Sequence, residues 1–497
     1  MATCNTKQAA WVGIGSLCSF GFTIVSSMIL SRYFDKAEYG TYKQVMYVYN
    51  TLLTIFTLGL PKAFSYFLPR VENKQAKGLI RKITNLFFLL GGLLSATLFL
   101  ASPVIAVLLK NPDLKVALRI FAVVPFLLLP TMGLDGILAT YRKTMFLAIY
   151  NILTNVFKLL CVALPVMFWN LRYREALIGF VIASLLTFLT SLVLRYHPVR
   201  KFPMEKCPVS YKEIFRFSLP LLTASLWGIA IHSTDQFFIS RYFGQETFAE
   251  FSNGSFELPI IGMVISACAT VLSPIYSRLS HEKTEEKGEL FSLWLSVTDK
   301  SAKLIYPLLI YCCFFADSVM TVLYGAKYEA SHVYFQIKLL IDFLRIISFA
   351  PLLINTGHVK AYSRSLMFNA IAVPVLEFAA VKLIHSPYAI CVVSSCCRLA
   401  QVMACLLIVA RYFNVRMFKL FPWRTICLVI LPSIPFLVVL HLISKQVSWQ
   451  NPFLSLIASF ALYMVVFIIY AQFVHLDYLL MVSPFMKDIS KKFHGSK

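Results

Sequence analysis

The chain has 497 residues, 59% of them apolar and only 14% charged. Soluble domains run near 25% charged, so water is not the main solvent of this chain. Its formal charge of +23 does not mark a nucleic-acid binder, because the Lys and Arg residues sit in short loops between apolar runs and form no basic face.

Taken in order, apolar runs long enough to cross a hydrocarbon core as helices recur along the whole sequence. Fourteen spans are predicted, over 9–30, 44–67, 83–109, 118–139, 147–169, 176–194, 215–238, 251–275, 303–324, 333–356, 366–383, 388–410, 425–443 and 453–473. No cleavage site follows the first run, which therefore reads as a retained helix. No polar segment between runs is long enough to fold alone. The fold class is all-α, a polytopic membrane protein.

Loop charge orients the spans. About 29 of the 46 basic residues fall on one side of this layout and about 11 on the other. The basic side is expected to be cytoplasmic, and with fourteen spans both termini lie there. The 12 cysteines lie mostly inside apolar runs without metal-ligand spacing, and read as free thiols acting as small apolar residues.

A local repeat relates the two halves. Ser31-Arg32-Tyr33-Phe34 is followed by Tyr39-Gly40-Thr41-Tyr42, and Ser240-Arg241-Tyr242-Phe243 by Phe248-Ala249-Glu250-Phe251 at the same offset. Both copies follow a long apolar run, and both fall on the same predicted side. Parallel six-helix repeats related by an axis along the membrane normal are a carrier signature. The connector between the halves holds Arg195, Arg200, Lys201, Lys206, Lys212 and Arg216 with Pro198, Pro203 and Pro208. It reads as a partly extended strap with a short amphipathic helix near 211–217.

These features resemble the polysaccharide flippases of the multidrug/oligosaccharidyl-lipid/polysaccharide exporter superfamily. The resemblance rests on SRYFDKAEYGTY after the first span, STDQFFISRYFGQETFAEFS after the seventh, and the polar exits LATYRKTMF and NTGHVKAYSRSLMF. It implies two six-helix lobes around a central cleft, over 1–194 and 217–410, with the linker 195–216 between them. Residues 411–497 then supply two additional helices and a cytoplasmic tail. It also implies a polyprenyl-pyrophosphate-linked oligosaccharide as substrate and membrane lipids as surroundings. Other polysaccharide-assembly proteins are its implied partners, and a bacterial inner membrane its implied location.

Charges inside spans cost roughly 2.5–3.5 kcal/mol each at the bilayer centre, so they face a cavity or a partner. Lys158, flanked by apolar residues, reads as a cleft cation for a pyrophosphate or as the ion-pair partner of Asp135. Arg398 invites the same reading in the second half. Arg345 is a further cleft cation, and Lys62 either joins it or snorkels. Asp235, within His232-Ser233-Thr234-Asp235-Gln236, is a candidate for proton or sodium coupling or for a structural ion pair. Glu257, Asp342 and Glu377 are further coupling candidates. Lys338, Asp342 and Arg345 are spaced to share one helical face and neutralise each other. The serines and glycines of the first span suit close helix packing as well as cleft lining.

The sequence has no phosphate-loop, nucleophile-elbow or zinc-protease motif. No cofactor, metal or nucleic-acid partner is expected, and coupling to a proton or sodium gradient is left open. The competing readings are an exporter of another cargo, such as a drug antiporter or a peptidoglycan-precursor flippase, and a membrane polymerase or acyltransferase. A polymerase wants a sizeable outer loop, and no predicted outer loop exceeds roughly 15 residues.

Overall fold

The computed structural model describes residues 2–205, 207–279, 287–347, 349–446, 451–476 and Tyr478. The predicted C-terminal cytoplasmic tail and part of the basic loop after the eighth span lie outside the described residues. Among those described the chain is helical throughout and holds no strand. Ten helices are long and apolar enough to cross a membrane, and the bent pair Gly288–Phe314 and Ala316–Tyr324 makes an eleventh crossing if taken as one. Each predicted span has a helical counterpart, but several are divided or displaced.

The departures have local causes. The eighth predicted span starts eight residues late, at Pro259, because residues up to Gly254 belong to the helical segment that follows the kink at Gly244. Proline is at home in a first helical turn, where its missing N–H leaves no partner unmet. The tenth span is not one helix. It runs Ser331–Asp342, breaks, and restarts as Ala350–Asn355 with Pro351 in the first turn. Arg345 therefore lies in the break, though its N–H still donates to Ile341 O at 3.2 Å and its charge stays within reach of Asp342. Lys338 shares helix Ser331–Asp342 with Asp342 and donates to Ser394 Oγ at 3.3 Å.

The strap between the halves follows its sequence. It ends at a capping box in which Ser210 Oγ accepts from Glu213 N, and helix Tyr211–His232 follows. Upstream it lies on the start of helix Asn73–Leu108, where Lys77 Nζ donates to Arg200 O at 3.0 Å and Lys82 Nζ to Val209 O at 2.6 Å. A cysteine placed at Lys77 is expected to react only with a membrane-permeant thiol reagent. Labelling there by an impermeant external reagent would reverse the topology. Arg195, counted with the loop cations, is instead fully buried, donating to Thr84 Oγ1 at 2.9 Å.

The chain forms two compact units. The first comprises Met1–Ser252, Leu323–Lys327 and Ala370–Ile390, so it takes residues from both sequence halves; the second holds the rest. In the first unit, helix Ala2–Tyr33 packs along helix Thr144–Lys158. Gly15 sits on the backbone of Ala148, the close packing that small residues permit. Helix Thr144–Lys158 passes into a π-turn, Leu159–Ala163, before Leu164–Trp169 with Pro165 in its first turn. Pro165 has no N–H for the Cys161 carbonyl, and the turn widens accordingly. That carbonyl reaches towards Gly179 of helix Tyr173–Tyr196. A Cβ on residue 179 would stand 1.9 Å from Cys161 O, so only glycine lets the two helices meet. The π-turn begins directly after Lys158.

Candidate functional site

In the first unit four helices enclose a cavity of about 180 Å³. Helix Ala2–Tyr33 contributes Thr23, Ser26 and Ser27, and helix Lys36–Phe56 contributes Tyr42 and Lys43. Asn155 and Lys158 come from the third helix and Phe180 from the fourth. The Lys158 ammonium lies 5.5 Å from the Phe180 ring centroid, and that of Lys43 5.1 Å from the Tyr39 ring. Both distances fit cation–π attraction. Thr23 Oγ1 and Asn155 Oδ1, 3.5 Å apart, join the first and third helices across the cavity.

Among the described residues no carboxylate lines this space, and neither lysine belongs to an ion pair. Asp135 is therefore not the partner of Lys158. The arrangement offers an anion two ammonium groups, with several hydroxyls and an amide that can each donate or accept, in a low-dielectric wall. Lys43 falls just outside the second predicted span, which begins at residue 44. Its signal was the Tyr39, Tyr42, Lys43 spacing, which places all three on neighbouring turns. The polar residues of the first span divide between both expected roles, with Gly15 packing and Thr23, Ser26 and Ser27 lining.

Lys62 is exposed in the short helix Pro61–Phe67 and does not line the cavity. Asp235 and Glu377 are 2% and 0% exposed and both lie within electrostatic reach of Tyr47, whose hydroxyl donates to Ser233 O at 3.1 Å. The fold thus brings two buried acids from distant parts of the sequence to one tyrosine. In the second unit Asp342 has Arg345, Glu257 and Arg398 within electrostatic reach. Arg398 Nε is buried without a hydrogen-bond acceptor, while Glu257 is exposed in the break before Pro259. Four of the residues expected to carry function therefore gather in one cluster of mixed sign, which neutralises itself in part.

The repeated tetrapeptides have a shared structural task. The first helix ends after Tyr33 and Asp35 caps the next, accepting from Glu38 N at 2.7 Å. At the matching offset in the second copy, Gly244 leaves the helical region with φ +85°. Both copies thus break at the same place. Ser240 accepts from Gln44 Nε2 at 2.8 Å, and Asn111 Nδ2 donates to Gln44 Oε1 at 2.6 Å. Lys36 and Glu250 pair at 2.6 Å, partly shielded from solvent. Lys327 donates to the Phe34 and Arg32 carbonyls. Burial holds its ammonium below the usual lysine range, with Asp35 opposing that shift. These contacts tie the ends of helices from both halves together inside the first unit.

The chain is built of broken apolar helices with a cationic cavity in its first unit, and comparison with solved structures finds the same fold elsewhere. The chain shares its fold with a lipid II flippase, MurJ, in an inward closed conformation, at TM-score 0.71 and 14% identity over 94% of this chain and 99% of that one. By sequence it matches the family described as "Polysaccharide biosynthesis protein" over residues 6–280, and it belongs to that family. It is 23% identical to the succinoglycan biosynthesis transport protein ExoT of Rhizobium meliloti over 65% of its own length and 63% of the relative's. It is also 23% identical to the teichuronic acid biosynthesis protein TuaB of Bacillus subtilis, covering 69% and 70%.

Proposed function

We propose that this chain carries a polyprenyl-diphosphate-linked oligosaccharide from the inner to the outer leaflet by alternating access, for assembly of a surface polysaccharide, and catalyses no covalent step. One observation carries this reading: a cavity with two lysines, a set of hydroxyl and amide groups and no carboxylate among its described lining residues. Desolvated ammonium groups suit a diphosphate, and a drug antiporter for cationic compounds would want the opposite sign. Family membership and the named transport relatives support the glycan cargo. The same reading places the chain in a bacterial inner membrane with both termini cytoplasmic and polysaccharide-assembly proteins as neighbours.

The test is direct. Vesicles containing the purified chain should expose an internally loaded, fluorescent prenyl-diphosphate oligosaccharide to an external glycosidase. Transfer no faster than in protein-free vesicles overturns the reading.

A second element concerns the driving force. The convergence of the buried Asp235 and Glu377 on Tyr47 supports coupling to protons or sodium through these acids, because carboxylates inside spans recur in proton and ion relays. Asp235→Asn keeps the shape and removes the charge. We expect it to bind cargo while losing the dependence of transport on the ion gradient, at near-normal thermal stability in detergent. Lower stability with coupled transport intact would leave Asp235 a structural residue.

A further inference from the structure

In the second unit, where helix Lys287–Phe314 packs against helix Trp423–Gln446, a cavity of about 720 Å³ opens at the helix ends. Its walls are aromatic, with Phe291, Phe418, Phe421 and Trp423, and Lys419 is the one cation among its described lining residues. Phe421 is buried beneath the site, whereas Phe418 and Trp423 are fixed in place without being covered. Phe418 stacks on Trp423 at 5.1 Å and 30°, and the Trp423 indole N–H donates to Phe418 O at 2.6 Å, yet the two remain 68% and 42% exposed. The loop that carries them is pinned from below, where the buried Trp294 donates its indole N–H to Leu420 O at 3.0 Å.

Charge selects the occupant. Asp299 lines the cavity but is already engaged, by Lys303 at 2.8 Å and by the Thr425 hydroxyl. Lys419 is exposed, and Arg416 and Arg424 are exposed beside it on the same short segment. Among the described residues the segment 416–424 thus presents three exposed cations beside apolar ring faces at a helix end, with Glu289 the exposed acid on the neighbouring helix end. A tryptophan at that depth marks the membrane–water boundary. An anionic group with an attached hydrocarbon body meets both requirements, and the loop's basic surplus places it on the side where anionic lipids raise a negative surface potential.

We propose that this cavity seats one anionic phospholipid, its phosphodiester on Lys419 and its glycerol and upper acyl chains against Phe418, Phe421 and Trp423. The site is separate from the first-unit cavity and does not depend on the identity of the cargo.

The full-length chain, assembled into nanodiscs of phosphatidylcholine doped with phosphatidylglycerol and released into mild detergent, should retain phosphatidylglycerol above its bilayer fraction when analysed by native mass spectrometry. Lys419→Gln should lower that affinity about fivefold, the effect expected of one basic residue near a charged surface, and Phe418→Ala should weaken it further. Lys115→Gln, an exposed cation in the other unit, should leave retention unchanged. Equal retention of both lipids, or no loss in the Lys419→Gln and Phe418→Ala variants, overturns the proposal. So does displacement of the retained lipid by farnesyl diphosphate below one equivalent, which would assign the cavity to a prenyl-diphosphate.

Discussion

Export of the lipid-linked glycan should fall by roughly tenfold to a hundredfold in Lys158→Ala, because a hydrogen bond to a charged group is worth about 1.5–3 kcal/mol. Lys43→Ala should act in the same direction, and the double variant should reach the background of cells without the protein. The amount of protein in the membrane should stay near normal, since removing a desolvated cation that has no ion-pair partner takes away no structural contact of consequence. Lys158→Arg keeps the charge on a longer planar head and should retain part of the activity. Surface glycan and membrane protein are measured in parallel, one by extraction and the other by immunoblot. Full export in the Lys43→Ala, Lys158→Ala variant would exclude these cations from cargo recognition. Adding Arg398→Ala to Lys158→Ala then asks whether the mixed cluster of the second unit takes part at all.

The second large effect is expected at Gly40. A Cβ placed there would stand 2.0 Å from Gln245 O and 2.6 Å from its carbonyl carbon. Both neighbours are backbone, so neither can swing aside, and overpacking of this kind typically costs 1–3 kcal/mol. The strain falls on the contact that joins the two repeat copies, beside the Lys36–Glu250 pair and the Gln44–Ser240 hydrogen bond. Gly40→Ala should therefore depopulate the arrangement described here by about tenfold or more and impair transport without unfolding the bundle. A short bis-maleimide bridging cysteines at positions 36 and 250, with the native cysteines replaced, reports that arrangement. Its yield should be high in the parent and low in Gly40→Ala, and the bridged parent should not transport. An unchanged yield would show that the close approach does not govern this state.

Much of this was legible in the residues because the signals are local. Apolar runs specify helices wherever the chain meets them, and proline, the Asp35 cap and the Ser210–Glu213 capping box act within one turn. The SRYF repeat is itself a local signal, and the structure places a break directly after each copy, at Asp35 and Gly244. Lys158 stood out for the same reason, as one cation among apolar neighbours.

What only the tertiary structure decided is which polar groups share space. Lys43 and Lys158 are 115 positions apart in the sequence numbering, roughly as far as many whole domains are long, and nothing local links them. Their meeting follows from the π-turn after Lys158 and from the way Gly179 admits the Cys161 carbonyl. Arg345 shows the converse. Its charge does reach Asp342, as the spacing suggests, but the helix ends at Asp342 and restarts at Ala350, a break that no predicted span contains. Asp235 and Glu377 likewise reach Tyr47 only through packing. Sequence determined the apolar helices and the sign of the embedded charges; packing between distant helices determined which of those charges form a site. Burial rewards polar groups for meeting one another wherever the fold allows, and that demand carries no sequence spacing of its own.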